Sequence, residues 1–234
     1  MKVSVKIIFL LIILFAFSIR IYRINEPNKY YFDEVYHVVT ARAYAQNNPA
    51  AYDPFSPPPE QGTAYDWLHP PLAKLIQASS IKIFGDNSSA WRLPSVIFGT
   101  ALVGATFYLG LVTFGPIAAV FAALVIAFEN LNLVMSRITM NDVFVSFFIV
   151  AGFLYGFKYF EKRKTLDIFL CSFLLGLAFA SKWTGIYGVF AVFIFLAIAN
   201  IIQKKLDFKI LLIVLIAPLV YLASYSQFWL QGHT

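Results

Sequence analysis

The chain has 234 residues, of which 60% are hydrophobic and only 13% are charged, whereas a soluble domain is about 45–50% apolar and about 25% charged. Its uncharged stretches are about as long as a segment that crosses a bilayer, which excludes a soluble globular protein. The formal net charge of +6 does not indicate nucleic-acid binding, because most basic residues flank apolar segments and form no stripe with stacking aromatic rings.

Seven apolar segments predict an all-α protein that spans the membrane several times. They cover residues 4–22, 92–113, 116–135, 140–159, 166–181, 184–202 and 208–227. The first is predicted to be an uncleaved signal anchor, because no small-x-small cleavage site precedes Arg20. The chain therefore divides into a first span, a polar loop over 23–91 and six further spans over 92–227.

The polar loop is predicted to contain two helices that lie on the membrane surface. From Glu34 to Gln46 no residue breaks a helix, and apolar residues recur at helical spacing. From Pro71 to Phe84 the apolar residues share one face, and Pro71 suits a first helical turn. The polar residues of this second segment are predicted to point away from that face: Lys74, Gln77 and Lys82.

The basic residues of the short loops indicate the orientation of the chain. They cluster at the N-terminus and after the fourth and sixth spans, at Lys2, Lys6, Lys158, Lys162, Arg163, Lys164, Lys204, Lys205 and Lys209. If all seven segments span, these residues share one side, which the positive-inside rule makes cytoplasmic. The opposite, external face breaks that rule where function is expected to demand it, at Arg20, Arg23, Arg92, Arg137 and Lys182.

Two adjacent carboxylates, Asp33 and Glu34, lie at the external end of the first span, where charges are costly and usually functional. Neighbours on a helix diverge by about 100°, so the two are not expected to form a symmetric acid–base dyad. One carboxylate can reach a reacting hydroxyl while the other pairs with a cation such as Arg92 or Lys182. A compatible alternative is that Asp33 caps the helix that starts at Glu34.

Three more external residues are candidates for a binding site. His69 is held at the interface by the two prolines that follow it, or it belongs to a plain turn. Arg137 lies in a tight turn, where its planar guanidinium suits a bidentate contact to a lipid phosphate or a role as an interfacial anchor. Lys182 lies between two spans with almost no loop, so its ammonium is pinned near the interface, which favours a phosphate contact.

The sequence does not predict a metal site or a nucleotide site. External carboxylates and histidines lie on one side of the membrane without closely spaced metal ligands such as H-x-x-x-H, although Asp33 and His37 are spaced i, i+4. A divalent cation is therefore possible but unsupported, and no cofactor is assigned. The sequence contains no Gly-rich phosphate loop and no G-x-S-x-G motif.

Five motifs together resemble the protein O-mannosyltransferases, which are membrane glycosyltransferases that use lipid-phosphate-linked mannose. The motifs are Phe32-Asp33-Glu34-Val35-Tyr36-His37, His69-Pro70-Pro71-Leu72-Ala73-Lys74, Trp91-Arg92-Leu93-Pro94, Ser136-Arg137 through Asp142, and Ser181-Lys182-Trp183-Thr184-Gly185. Each is weak alone, but their order and common sidedness make the set specific. The match runs from Tyr31 to the end of the chain. Tyr36-His37 reverses the histidine–aromatic order of the family motif, which leaves the role of His37 open.

The resemblance implies a GT-C-like bundle of about seven spans with a large first external loop that carries interfacial helices. It implies inverting transfer of mannose from polyprenyl- or dolichyl-phosphate-mannose to Ser or Thr hydroxyls of exported proteins, at the external face of the cell membrane. The implied site comprises catalytic Asp33 and Glu34, donor-phosphate contacts Arg137 and Lys182, and supporting residues His69, Arg92, Asp142 and Trp183. One carboxylate base and cations on the phosphate suffice for this chemistry.

The resemblance also leaves alternatives open. Members of the family are usually longer, so residues 1–234 are expected to be the N-terminal part of a glycosyltransferase domain that lacks C-terminal spans. A related enzyme with another sugar or acceptor, such as aminoarabinose and lipid A, is the nearest alternative. A transporter or membrane scaffold is an alternative of another class, for which Glu129 and Asn130 would be intramembrane polar residues. Glu129 could equally support the site.

Overall fold

A computed structural model describes residues 3–232, and every regular element in that range is a helix. The α-helices are α1 (Val3–Ile21), α2 (Glu34–Ala45), α3 (Leu72–Phe84), α4 (Ser88–Thr113), α5 (Pro116–Phe128), α6 (Asn130–Met135), α7 (Asp142–Lys162), α8 (Thr165–Ser181), α9 (Gly185–Ile202), α10 (Leu211–Ser224) and α11 (Ser226–Leu230). Two 3-10 helices cover Pro49–Tyr52 and Phe208–Ile210. The all-α prediction is confirmed. Lys2, which the sequence assigns to the cytoplasmic side, lies outside the described residues.

Seven of these helices are apolar and correspond to the predicted spans. Four are long and apolar enough to cross a membrane: α1, α4, α7 and α9. The other three, α5, α8 and α10 with the 3-10 turn before it, are apolar but shorter. A spanning helix needs roughly 20 residues, with a range of about 17–25, so α8 and Phe208–Ser224 lie at the lower limit and α5, with 13 residues, falls below it.

The third predicted span, 116–135, is not one continuous helix. α5 ends at Phe128, and the Glu129 carboxylate accepts hydrogen bonds from the backbone N–H groups of Leu131 (3.0 Å) and Asn132 (2.6 Å) at the start of α6. Glu129 and Asn130 are both exposed. The break in the helix therefore satisfies the Glu129 carboxylate at a helix start, and the expected position of Glu129 and Asn130 within the membrane stays a prediction.

Both helices predicted in the polar loop are present as α2 and α3. They pack on each other around a buried aromatic and aliphatic cluster that includes Val38, Tyr44, Tyr52, Ile81 and Trp91. The predicted orientation of the polar residues on α3 is wrong for two of them, since Lys74 and Gln77 are fully buried. Lys74 tolerates burial because the buried carboxylate of Asp66 faces its ammonium.

Two apolar clusters hold the bundle together, and a third joins it to α3. The first packs α1, α4 and α5 around Val103 and Phe107. The second packs α7 to α10 around Leu175, Leu196 and Ile213. The third packs α3 against α7 and α8.

The bundle has two ends of different composition. One, which we call the loop end, carries α2, α3, α6, the start of α7 and the α8–α9 turn. The other, which we call the lysine end, carries the basic residues that follow α7 and α9.

Candidate active site

Asp33 immediately precedes α2, yet its side chain makes no capping hydrogen bond to that helix. No hydrogen bond or ion pair of the Asp33 carboxylate is present within residues 3–232, and the residue is partly exposed. Phe32 before it has a left-handed backbone with φ 54°, a strained conformation for a residue with a bulky side chain. Asp33 and Phe32 both line a cavity of about 560 Å³, which we call the Asp33 cavity.

Glu34 has the opposite environment, because its side chain is completely buried. One carboxylate oxygen accepts from Arg92 Nε (2.8 Å) and from the backbone N–H of Thr139 (2.9 Å). The other accepts from Arg92 Nη2 (2.7 Å) and from the backbone N–H of Tyr31 (2.9 Å). Two parallel bonds from one guanidinium are a strong and directional form of ion pair. Glu34 therefore joins α2, α4 and the turn before α7, and thereby fixes the start of α2 beside Asp33.

Arg92 is also fully hydrogen-bonded where α2, α4 and the turn before α7 meet. Besides Glu34, its guanidinium donates to the carbonyl oxygens of Ile24 (2.9 Å), Pro27 (3.0 Å) and Lys29 (3.1 Å) in the segment that follows α1. Of the two cations that the sequence offers as partners for the acidic pair, the structure pairs Arg92 with Glu34. Lys182 has a different partner.

Lys182 Nζ lies 2.7 Å from Asp142 Oδ1, and both residues line the Asp33 cavity. Their side chains are 22% and 43% exposed, so a bound molecule can reach the pair. The tight α8–α9 turn that carries Lys182 depends on Gly185, where a Cβ would meet the backbone of Ala178 at 2.3 Å. Trp183 is not among the residues that line the cavity. Its ring packs against Phe179 and Tyr221, with distances between ring centroids of 5.6 Å and 5.4 Å.

Arg137 is not among the residues that line the Asp33 cavity. Its guanidinium donates to the carbonyl oxygens of Ile19 (2.6 Å) and Tyr22 (2.8 Å). Arg20, which sequence reasoning did not assign to the site, is completely buried and donates to Ser136 Oγ at 2.9 Å. Two arginines thus tie the turn before α7 to the end of α1, next to the cavity.

The motif around His69 forms a separate buried cluster. Asp66 Oδ2 lies 2.9 Å from Lys74 Nζ and 3.0 Å from His37 Nδ1, the second a close contact rather than a well-aligned hydrogen bond. Lys74 Nζ also donates to the carbonyl oxygens of Asp66 and His69, each at 3.0 Å. Burial alone would raise the pKa of the Asp66 carboxyl, but the contact with His37 and the charge of Lys74 hold that pKa well below its usual range. The cluster fastens the segment before α3 to both loop helices.

His69 therefore does not join Asp33 in one cavity. It lines a second cavity at the loop end, of about 590 Å³, together with Asp66 and the aromatic residues Tyr44, Tyr52, Trp67, Tyr225, Phe228 and Trp229. Among the described residues, no group of three or more His, Cys, Asp or Glu side chains lies close enough to hold a metal ion.

The Asp33 cavity has a polar part and an apolar part. The polar part includes Asp33, Glu129, Asn132, Asp142 and Lys182, and the apolar part includes Leu102, Ile126, Met135, Val143 and Val150. Sequence reasoning missed Asn132, because its position follows from the helix break at Glu129. The cleft therefore places three carboxylates and one ammonium beside an apolar wall.

A sequence model of the dolichyl-phosphate-mannose-protein mannosyltransferase family matches residues 10–229, nearly the whole chain. The chain belongs to this family. A relative from Candida albicans, dolichyl-phosphate-mannose–protein mannosyltransferase 1, is 29% identical over 76% of this chain and 21% of its own length. A polyprenol-phosphate-mannose–protein mannosyltransferase from Corynebacterium glutamicum is 29% identical over 52% of this chain and 28% of its own length.

Two solved structures share the fold of this mannosyltransferase-family chain. The Saccharomyces cerevisiae Pmt1–Pmt2 complex bound to the sugar donor matches with a TM-score of 0.81 and 20% identity, over 99% of this chain and 34% of that one. ArnT from Cupriavidus metallidurans in the apo state matches with a TM-score of 0.66 and 15% identity, over 97% and 41%. The predicted GT-C-like fold and the predicted family are confirmed. The chain spans less than half the length of each of these four proteins.

Proposed function

We propose that this chain carries the donor and base sites of an enzyme that transfers mannose from a polyprenyl- or dolichyl-phosphate-mannose donor to Ser or Thr hydroxyls of exported proteins. The observation that carries the proposal is the Asp33 cavity, where a carboxylate without a partner among residues 3–232, the partly exposed ammonium of Lys182 and an apolar wall lie together. Family membership and the names of the curated relatives support the same donor and acceptor classes.

The proposed chemistry is a single inverting displacement. The acceptor hydroxyl oxygen bonds to the anomeric carbon of mannose from the face opposite the phosphate. The bond between that carbon and the phosphate oxygen breaks, and the lipid phosphate leaves with the electron pair. Asp33 takes the hydroxyl proton, which its unpaired carboxylate suits better than the fully bonded carboxylate of Glu34.

Lys182 is proposed to stabilise the charge that develops on the leaving phosphate. It exchanges the carboxylate of Asp142 for the phosphate, and both groups lie at the cavity surface. The apolar wall formed by Leu102, Ile126 and Val150 suits the first isoprene units of the lipid. A donor anchored in this way needs no protein group to protonate the phosphate.

The remaining predicted site residues have less direct roles in this proposal. Glu34 and Arg92 fix the start of α2 beside Asp33 through their buried ion pair. Arg137 was predicted to contact the phosphate, and that assignment stays a prediction. Its bonds to the carbonyls of Ile19 and Tyr22 favour a positioning role for the turn before α7. His69 and Trp183 stay predictions as supporting residues.

The decisive experiment measures transfer of labelled mannose from polyprenyl-phosphate-mannose to a Ser/Thr peptide by the enzyme in its native membrane. Asp33→Asn and Lys182→Gln should each abolish most of the transfer, while Asp167→Asn, a carboxylate far from the cavity, should leave it unchanged. Wild-type turnover by Asp33→Asn would refute the base assignment.

A parallel assay with polyprenyl-phosphate-aminoarabinose and lipid A tests the nearest alternative. Transfer of that sugar in preference to mannose would replace the proposed donor.

A further inference from the structure

A cavity of about 470 Å³ lies at the lysine end of the bundle, far in sequence from the Asp33 cavity. It is formed by the end of α9, the loop that follows and the start of α10. Its apolar wall includes Ile201, Leu206, Phe208 and Leu211, and its basic residues are Lys204 and Lys205. The lining of this cavity therefore combines an apolar surface with two basic side chains.

The positive charge of this cavity is not balanced from within. Asp207 is the acidic residue of the lining, and its carboxylate is already used: Oδ2 accepts from the Tyr159 hydroxyl and from Arg163 Nη1 (3.3 Å), and Oδ1 accepts from the backbone N–H of Lys209 (3.1 Å). Burial alone would raise the pKa of Asp207, but these hydrogen bonds lower that pKa. The carboxylate of Asp207 is therefore charged and paired with Arg163. Lys204 and Lys205 make no ion pair within residues 3–232.

The loop that carries Lys204 leaves apolar side chains uncovered beside it. The left-handed φ of 51° at Lys204 belongs to the end of α9, where the N–H groups of Lys204 and Lys205 donate to the carbonyl oxygens of Ile201 (3.1 Å) and Asn200 (2.9 Å). The neighbouring apolar residues are also poorly covered, with Leu206 84% exposed and Phe208 66% exposed. Two lysines that make no ion pair among the described residues therefore lie beside uncovered hydrocarbon.

We propose that this cavity binds an anionic phospholipid of the surrounding membrane. The lipid phosphate contacts the ammonium groups of Lys204 and Lys205, and an acyl chain lies along Phe208 and Leu211. Charge complementarity carries the assignment, because a zwitterionic lipid offers no net charge to two unpaired lysines. Basic pockets between spanning helices are a known way of selecting anionic headgroups. The proposal does not depend on the activity proposed above.

Tryptophan fluorescence offers a direct test, because the four tryptophans of the chain, Trp67, Trp91, Trp183 and Trp229, all belong to the loop end. Phe208→Trp places a reporter in the cavity. The full chain carrying this reporter is reconstituted in phosphatidylcholine vesicles, and brominated phosphatidylglycerol is titrated in as a quencher. We expect saturable quenching of the added tryptophan by brominated phosphatidylglycerol at lower mole fractions than by brominated phosphatidylcholine.

The matched variants separate a site from diffuse attraction. Lys204→Gln/Lys205→Gln should weaken the phosphatidylglycerol titration by about tenfold or more, since each substitution removes a charge-assisted contact with the lipid phosphate. Lys162→Gln/Lys164→Gln removes two exposed lysines of the same end that do not line the cavity, and should change it little. Lys204→Arg/Lys205→Arg should retain binding. Equal quenching by the two lipids, or equal losses in the two glutamine pairs, would overturn the proposal.

Discussion

Asp33 and Glu34 differ in what surrounds their carboxylates, and this difference predicts opposite effects of two isosteric substitutions. Asp33→Asn removes a charge that has no partner in the part of the chain that the structure describes. We expect the free energy of unfolding to change by no more than about 0.5 kcal/mol. Mannosyl transfer should fall by about 10²–10⁴-fold, the usual contribution of a general base.

Glu34→Gln should behave in the reverse way. It leaves the Arg92 guanidinium buried without its countercharge, which costs about 3–5 kcal/mol. The protein should therefore unfold at a markedly lower temperature and accumulate poorly in the membrane. Thermal unfolding in detergent, measured beside transfer activity, checks both substitutions. A loss of stability in Asp33→Asn as large as that in Glu34→Gln would contradict the division of roles.

At the scale of the elements, the segment that leads into α3 is held by one buried ion pair. Asp66→Asn leaves the Lys74 ammonium, which is fully buried, without a countercharge, and should destabilise the protein by about 3–5 kcal/mol. Adding Lys74→Met to Asp66→Asn should recover most of that loss, because methionine fills a similar volume without charge. Asp167→Asn, whose carboxylate makes no ion pair among the described residues, serves as the control.

The pH dependence of this ion pair follows from the depressed pKa of Asp66. A carboxyl whose pKa in the folded state lies below its unfolded value of about 3.9 stabilises fully above that pH. The stabilisation is lost only as the pH falls through the folded value. Stability at pH 7 and at pH 5 should therefore differ little on account of Asp66. A large loss of the Asp66→Asn effect at pH 5 would contradict the ion pair.

The α8–α9 turn is a second element whose geometry positions a site residue. Gly185→Ala introduces a Cβ that meets the Ala178 backbone at 2.3 Å, so the turn has to open and Lys182 shifts away from Asp142. We expect a loss of about 1–3 kcal/mol in stability and a clear loss of transfer activity. Gly104→Ala, where the nearest atom is a flexible Ile13 methyl at 3.4 Å, should be tolerated. Equal effects of the two substitutions would contradict the argument.

Local pattern predicted the elements better than it predicted their surroundings. α2 and α3 begin and end within one residue of the predicted limits, because helical spacing and a proline start are local signals. The break at Glu129 and the burial of Lys74 were missed. A hydropathy scale measures the transfer of a residue into lipid and does not account for the polar partner that a residue finds in the folded protein. Asp66 and the α6 N–H groups are such partners.

At the scale of the whole molecule, sidedness predicted which residues share an end of the bundle but not how they are arranged around it. Asp33, Asp142 and Lys182 line one cavity, whereas His69 lines another and Arg137 lines neither. The alternation of spans predicts the side of the membrane on which each loop lies. The arrangement of the helices around the bundle depends on packing, which a single sequence does not specify. The structure thus brings Asp33, Asp142 and Lys182 together and leaves His69 and Arg137 outside their cavity, while the catalytic roles of all five stay predictions.

The orientation of the bundle is itself testable, because its two ends carry very exposed residues. In a background where the buried Cys171 is replaced by alanine, single cysteines are introduced at Phe55 in the polar loop, which is 91% exposed, and at Leu206 and Phe114 at the lysine end, which are 84% and 83% exposed. A membrane-impermeant maleimide applied to intact cells should label the Phe55 position alone, since the positive-inside rule places the lysine end in the cytoplasm.

Permeabilised cells provide the control for that experiment, because all three cysteines should then react. Labelling of the Leu206 and Phe114 positions in intact cells, with the Phe55 position protected, would show the opposite orientation. The Asp33 cavity would then lie at the cytoplasmic face. Acceptor hydroxyls of exported proteins would then have no route to Asp33. A single topology measurement therefore tests the orientation and, with it, the acceptor class of the proposed transferase.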